Sequence, residues 1–471
     1  MDTPLTVVIL AAGLGTRMKS KKAKVLHQAG GRALIGHVAG TALELTSPDR
    51  IFVVVGSQAE QVQAAVSAEG LGFIHQAEQK GTGHALMVCR ERLAGLPGLL
   101  AVLYGDCPLL STATLRELVE RQRNSTAAAT VITTVLEDPA GYGRVLRDES
   151  GRVRAIVEQK AAAPDELAVR EINSGIYCFR ADLLWKHIDE IRPDNPAREY
   201  YLTDIVEIFG RAGYGVEPFL LAEPAEVLGI NTRAELAEVD RICRQRKVRE
   251  LMLAGVTIEK PETVTIDAGA RIGADTVVEP FAQILGRTAI GEDCRIGACS
   301  IVRDSELADR VEVRPFSIIE GSQVGAEARV GPYARLRPGS RLGAGAHVGN
   351  FVELKQTRLG AGSKANHLAY LGDAEIGDGV NVGAGTITCN YDGVEKHPTK
   401  IGNEVFVGSN ATLVAPLELG DGCYVGAGSV VTDPVPPQAL ALGRARQVNK
   451  EGWARKRRPA ARKNPPTEPR P

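Results

Sequence analysis

Two rhythms of hydrophobic residues divide this chain. In the first half, short apolar runs of about four to eight residues stand between stretches with helical spacing. Residues 6–10, 51–55, 99–103 and 130–135 predict buried strands, and 33–45 and 59–66 predict helices. This alternation predicts a Rossmann-like, doubly wound α/β sheet with helices on both faces. From about Ile272 to Val430 the rhythm changes. An aliphatic residue precedes a glycine at six-residue steps: Ile290-Gly291 and Ile296-Gly297, Val324-Gly325 and Val330-Gly331, Leu342-Gly343 and Val348-Gly349. Later pairs are Ile376-Gly377 and Val382-Gly383, Ile401-Gly402 and Val407-Gly408, Leu419-Gly420 and Val425-Gly426. The period is too short for helical repeats and too regular for ordinary strands. It predicts a left-handed parallel β-helix of hexapeptide coils. The aliphatic residue points inward, and the glycine after it lets the chain bend.

Between the two rhythms, Thr232 and Glu235 form a capping-box pattern. Leu236, Val239, Ile242 and Cys243 follow at helical spacing, and Gly255 can close the segment. A connecting helix is expected over 234–254, with the basic stretch 244–249 on its solvent face. The chain thus divides into 1–233, the helix 234–254, a β-helix over 255–454, and a basic, Pro-rich tail 455–471 expected to be disordered.

Composition sharpens this picture. A chain of 471 residues has room for at least two domains. Lys and Arg (56) nearly cancel Asp and Glu (57), which argues against nucleic acid or a membrane surface as partner. Aromatics at 4 % and 51 glycines suit a solenoid with small corners. The eight cysteines show no CxxC and no metal-type Cys/His cluster, so they read as idle thiols in a reducing cytosol. The N-terminus lacks a signal-peptide pattern and no apolar run could span a bilayer. A cytoplasmic protein without membrane insertion is expected.

The first strand runs into Ala11-Ala12-Gly13-Leu14-Gly15-Thr16-Arg17-Met18. Glycines there let backbone amides approach a phosphate. The loop is neither a Walker A motif nor a full dinucleotide fingerprint. Arg17 and Lys24 add positive charge suited to a triphosphate. The run 99–103 ends in Tyr104-Gly105-Asp106. A carboxylate at that strand end lies where open α/β sheets bind ligands, and it suits Mg²⁺ bridging phosphates.

LAAGLGTRM followed by KVLH resembles the signature of sugar-nucleotide pyrophosphorylases, and residues 76–84, QAEQKGTGH, resemble the uridine-reading loop of uridylyltransferases. The resemblance implies that Leu10, Ala11, Ala12, Gly13, Tyr104 and Gly105 line the nucleotide site. Gln76 and Gly81 would contact uracil, and Thr82 would help hold the nucleotide. Asp106 and Asn231 would be the Mg²⁺ ligands, and Gly143, Glu158 and Asn173 the sugar-phosphate contacts. Arg17 and Lys24 would stabilise charge as a sugar-1-phosphate oxygen attacks the α-phosphorus of UTP. Ala23 replaces the usual Pro and Ser174 the usual Thr; neither change removes a charge.

In the second half, 337–339, 350–355, 366–373 and 383–393 carry polar groups that bare coils do not require. The repeats alone are as compatible with a trimerisation scaffold as with an enzyme. Acetyl transfer to an amine needs a base to take a proton, and imidazole titrates near neutrality. His367, with Tyr370 three residues on, fits. These blocks resemble the acetyltransferase half of the bifunctional bacterial enzymes that make UDP-N-acetylglucosamine, and the match runs in order through 447–453. It implies His367 as base, with Arg337, Lys355, Tyr370 and Asn381 binding glucosamine-1-phosphate. Asn390 and Tyr391 would lie near the acetyl group, and Ala384, Ser409, Ala427 and Arg444 would line an acetyl-CoA groove. A homotrimer with acetyl sites between subunits is implied. The N-acetylglucosamine-1-phosphate so made would be joined to UMP, for peptidoglycan and, in many bacteria, lipopolysaccharide. Asn366 stands where Gly or Ser is common before the base.

Two other readings compete. A single-activity sugar-1-phosphate nucleotidyltransferase with an inert β-helix would have no use for His367 or the loop Asn390-Tyr391-Asp392-Gly393. A non-enzymatic scaffold would have no use for the glycine loop with Arg17, Lys24 and Asp106.

Overall fold

The computed structural model describes residues 3–13, 15–56 and 58–457. The chain packs into two compact units. The first reaches Ile272 and takes in Gln283–Thr288, and the second consists of Gly273–Ala282 and the chain from Ala289 onward.

The first unit is built on a nine-stranded mixed sheet. Its strands are β1 (Leu5–Leu10), β2 (Ile51–Val55), β3 (Gly72–His75), β4 (Leu99–Tyr104), β5 (Ala129–Val135), β6 (Arg144–Arg147), β7 (Val153–Val157), β8 (Glu171–Arg180) and β9 (Val216–Leu220). The order is β9-β5-β8-β4-β1-β2-β3, with β6 and β7 attached beside β8. β1 lies parallel to both β2 and β4. Its alternate residues serve two cores: Val8 and Leu10 pack on one face, Val7 and Ile9 on the other. Burial on both faces explains why the strand reads as an unbroken apolar run. β8 runs antiparallel to β4 and β5, and its pairing with β5 shifts register between Asn173 and Tyr177. The Asn173-Ser174-Gly175 interruption hides this strand from a pattern search.

The connecting helix spans Arg233–Leu253. Its capping box is formed: Thr232 Oγ1 accepts from the Glu235 amide at 3.2 Å, and Glu235 Oε2 accepts from the Thr232 amide at 3.0 Å. Gly255, at φ 95°, follows its end. The basic stretch 244–249 is not all solvent face. Arg244 is half-buried between Asp240 and Asp267 at 2.9 and 2.7 Å, and Arg246 donates to the Leu109 carbonyl at 2.9 Å. Short strands follow from Thr257–Ile258.

The second unit winds as a left-handed parallel β-helix whose strands stack into three parallel sheets. One coil illustrates it. Arg329–Val330, Arg335–Leu336 and Arg341–Leu342 each place the arginine outward and the aliphatic residue inward. Val330, Leu336 and Leu342 pair in register with Val348, Leu354 and Leu359 of the next coil, giving three apolar columns. The glycine of the hexad has a different duty from the one expected. A Cβ on Gly343 would lie 2.5 Å from the Ala361 nitrogen, so glycine is required by the approach of the next coil. The bend comes two residues later, at Gly345 (φ 64°). At another corner, bulky residues occupy the left-handed region: Phe316 (62°), Tyr333 (56°) and Phe351 (59°).

Among the described residues no cysteine is bonded to another, and all but Cys299 and Cys389 are buried. Among the same residues no helix is long and apolar enough to cross a membrane. Trp453–Arg457 forms a short helix, and the remainder of the tail, 458–471, lies outside the described residues.

Candidate active sites

The first site forms where parallel strands end. The Leu10 carbonyl accepts from the Gly105 amide at 3.0 Å and the Val54 carbonyl from the Ala11 amide at 2.9 Å, so the loops after β1 and β4 leave side by side. This is the edge at which α/β sheets bind ligands. A cavity of about 540 Å³ opens there. Of the expected residues, Leu10, Ala11, Ala12, Gly13, Lys24, Gln76, Gly81, Thr82, Tyr104, Asp106 and Glu158 line it. Gly15 (φ 60°) caps the short turn Thr16–Met18, and a Cβ there would lie 2.7 Å from Lys24 Cβ. The lysine therefore rests against the glycine loop.

Charge is concentrated at one end. Lys24 Nζ is ion-paired with Asp106 and donates to Asn231 Oδ1 at 3.3 Å, and Arg17 donates to the same oxygen at 2.8 Å. Arg17 and Asn231 lie outside the lining set but join it through Lys24. The Asp106 carbonyl accepts from the Ile230 amide at 3.2 Å, and Glu235 of the capping box accepts from the Asn231 amide. The helix cap thus fixes Asn231 opposite Asp106.

The other end suits a sugar. Gly143 accepts from the Asn173 amide at 2.9 Å, and a Cβ on Gly143 would lie 3.5 Å from Glu158 Oε1. Asn173 Oδ1 accepts from Gly175, whose own Cβ would strike the Tyr104 ring at 2.4 Å. Gly143, Glu158, Asn173 and Tyr104 are therefore neighbours. Burial pushes the Glu158 carboxyl and the Tyr104 phenol above their ordinary values. Gly105 is buried against Ile35 and Val25 and contributes backbone only. Ser174 Oγ accepts from the Ile176 amide and donates to the Ile132 carbonyl, bracing the β8 bulge, whereas Ala23 donates its amide to Gln58.

The base-side loop is braced by a segment the sequence did not single out. Gln76 is buried, and its amide donates to the Gly81 carbonyl at 3.3 Å. The Tyr200 carbonyl accepts from the Gly83 amide at 2.8 Å, the Lys80 carbonyl from the Tyr200 amide at 2.8 Å, and Thr82 Oγ1 from the Leu202 amide at 3.1 Å. Glu199 and Tyr201 join the cavity lining from that segment. The only signal was an aromatic pair between loop and helix, without period.

The second site lies on the solenoid. His367 is exposed and in register with Asn350, and Nδ1 lies 2.7 Å from Asn350 Oδ1. A carbonyl oxygen only accepts, so Nδ1 is the donor in this bond, and in the neutral imidazole Nε2 is then the acceptor. Asn366, just before it, has a buried Oδ1 without a hydrogen-bond partner.

On the adjoining sheet, Arg337 pairs with Glu353 at 3.1 Å and Lys355 with Asp373 at 3.1 Å. Asn390 donates to the same Asp373 carboxylate. Tyr370 Oη and Asn390 both stand within 3 Å of where a Cβ on Gly372 would be. Arg337, Lys355, Tyr370 and Asn390 are thus gathered together. Lys396, missed in the sequence, feels this cluster too: Lys355, with Arg337 behind it, holds its ammonium below the ordinary lysine value against the pull of Asp373. Tyr391 is exposed, its hydroxyl donating to Gly393.

Asn381 is not in this group. It sits on the His367 sheet in register with Lys364 and Phe406. Ala384, Ser409 and Ala427 stack on successive coils: the Ala384 carbonyl accepts from Asn410 at 2.7 Å and the Ser409 carbonyl from Gly428 at 2.8 Å. Arg444 is exposed beyond the last strand, Leu440–Ala441.

Comparison with known proteins adds family matches. Residues 7–172 match the MobA-like NTP transferase domain, 260–360 the GMPPB C-terminal domain, and 398–433 the hexapeptide repeat of succinyl-transferase. A protein of Solibacter usitatus (strain Ellin6076) is 62 % identical, covering 98 % of this chain and 99 % of its own. One of Koribacter versatilis (strain Ellin345) is 51 % identical over 97 % and 98 %. One of Anaeromyxobacter sp. (strain Fw109-5) is 50 % identical over 98 % and 94 %. Each is named bifunctional protein GlmU.

Proposed function

The chain belongs to the GlmU family of bifunctional proteins, and we propose that its two units divide the synthesis of UDP-N-acetylglucosamine between them. The solenoid transfers acetyl from acetyl-CoA to glucosamine-1-phosphate. The first unit then transfers UMP from UTP to N-acetylglucosamine-1-phosphate and releases pyrophosphate. One arrangement carries this reading: a cavity at the strand ends of one unit that gathers Lys24, Gln76, Asp106 and Glu158, and on the other an exposed histidine held through Nδ1 by Asn350, three residues before Tyr370 of the cluster with Arg337 and Lys355.

In uridylyl transfer, a phosphate oxygen of the sugar-1-phosphate attacks the α-phosphorus of UTP, and the bond to pyrophosphate breaks. Lys24 and Arg17, both bonded to Asn231 Oδ1, would stabilise the spreading charge. Gln76 and the 81–82 backbone would hold the uracil, and Tyr104, Gly143, Glu158 and Asn173 the sugar. Mg²⁺ fits this donor set, because Asp106 and Asn231 present hard oxygens to one point that already accepts the Lys24 ammonium. Bound there, it would supply further neutralisation of phosphate charge.

In acetyl transfer, the amine attacks the thioester carbonyl, His367 Nε2 takes the amine proton, and CoA leaves as the thiol. Arg337, Lys355 and Lys396 would grip the phosphate, with Tyr370 and Asn381 on the sugar. Asn390 and Tyr391 would flank the acetyl group, and the file Ala384, Ser409, Ala427 would let CoA lie along the coils towards Arg444. Phe316, Tyr333 and Phe351 stack outward with centroids 5.1 and 5.5 Å apart. That exposed ladder supports self-association, which we read as a homotrimer completing the acetyl site. We place the enzyme in the cytoplasm, where UTP and acetyl-CoA are made and thiols stay reduced.

The test supplies each acceptor separately. Glucosamine-1-phosphate should release CoA from acetyl-CoA, and N-acetylglucosamine-1-phosphate should release pyrophosphate from UTP. Pyrophosphate release without any CoA release would leave the single-activity reading.

A further inference from the structure

Lys396 lies in the field of Lys355, Arg337 and Asp373. Lys355 and Arg337 repel it, and Asp373, the carboxylate that attracts it, is already paired with Lys355 and Asn390, so the loop itself must hold Lys396 in place before an anion arrives. Its loop leaves the solenoid after Ile387–Cys389 and returns at Thr399–Ile401. All of its residues from Tyr391 to Lys396 are exposed, so no apolar burial fixes its shape.

Polar bonds do so instead, and they converge on one carboxylate. Asp392 Oδ1 accepts from the Val394 amide at 2.8 Å and the Glu395 amide at 2.7 Å. Asp392 Oδ2 faces His397 Nε2 at 2.7 Å. The His397 amide donates to the Asn390 carbonyl at 2.9 Å, and Tyr391 bridges Lys396 across the loop. Asn390 is anchored in turn to Asp373, which also pairs with Lys355. These donors hold the Asp392 carboxyl below its ordinary range. Asp392 and His397 therefore close the loop on either side of Lys396.

We infer that the Asp392–His397 pair is a brace that positions Lys396 beside Lys355, so that two ammonium groups converge on the phosphate of the sugar substrate. Neither brace residue touches substrate; both act through Lys396. The inference rests on the acetyl-transfer reading of this site and deepens it. Bringing Lys396 to the phosphate without the brace would require ordering an exposed loop against repulsion, and that cost falls on substrate binding rather than on the chemical step.

The test measures CoA release against glucosamine-1-phosphate concentration in the full-length enzyme. His397→Ala should raise KM for glucosamine-1-phosphate about tenfold with kcat changed less than about twofold, the loss of one charge-assisted bond. His397→Gln, which keeps an N–H donor, should recover most of the difference. In a Lys396→Met background His397→Ala should add nothing further. UDP-N-acetylglucosamine formation from N-acetylglucosamine-1-phosphate and UTP should stay at the wild-type rate, showing a folded chain. An unchanged KM in His397→Ala, or a full tenfold effect persisting in Lys396→Met, would overturn the brace. Absence of CoA release in the wild type would instead overturn the acetyl-transfer reading.

Discussion

Gly81→Ala should disable uridylyl transfer through one methyl group. Gly81 adopts φ 107° and ψ 174°, a region essentially reserved for glycine, where a side chain costs about 1–3 kcal/mol. The added Cβ would lie 2.5 Å from the Tyr200 carbonyl oxygen and 2.9 Å from its nitrogen. Both atoms are engaged, accepting from Gly83 and donating to Lys80, so relief must break these bonds at about 1 kcal/mol each. The sum, about 3–5 kcal/mol, falls on a loop outside the main core. The native loop conformation should then fall by about two orders of magnitude or more. Pyrophosphate release titrated with UTP should show KM raised about a hundredfold, while CoA release stays at the wild-type rate. A KM within about twofold of wild type would refute the reasoning. Loss of both activities would mean that the damage is global.

Other consequences can be checked separately. Burial, reinforced by Glu207, raises the Asp204 carboxyl from 3.8 to about 6. Its protonated form contributes stability that is complete below pH 3.8 and lost as pH rises through about 6. Asp204→Asn should therefore gain stability relative to wild type as pH rises across that window, read from urea midpoints; a constant difference would contradict this. Asn366→Ser removes a buried oxygen that has no partner and should gain about 1 kcal/mol in the same assay. A clear loss would show that the amide is used. Tyr333→Asp, in the middle of the aromatic ladder, should shift sedimentation towards monomer with the fold retained by circular dichroism.

What the sequence revealed follows the range of the interactions involved. The hexads were legible because each coil repeats one local rule, and β2 and the helix Ala59–Val66 match their expected limits. The capping box was legible because Thr232 and Glu235 are three residues apart. The glycine of the hexad was identified, but its reason was not: the clash at Gly343 comes from Ala361 on the next coil. The segment 199–202 and Lys396 were missed for the same kind of reason. Tyr200 matters through backbone bonds to Lys80 and Gly83, and Lys396 through a loop that folds back on Lys355. Neither leaves a periodic trace. That Asn381 stands on the His367 sheet while Arg337 and Lys355 belong to the adjoining one is a distinction that strand register alone reveals.

The most direct test of two separable sites mixes two variants. His367→Ala should lose CoA release by a factor of about 10²–10⁴ yet still release pyrophosphate from N-acetylglucosamine-1-phosphate and UTP. Asp106→Ala should do the reverse. Neither alone should convert glucosamine-1-phosphate, acetyl-CoA and UTP to UDP-N-acetylglucosamine, and the mixture should. A mixture that stays inactive, or a single substitution that abolishes both half-reactions in a folded protein, would contradict the account.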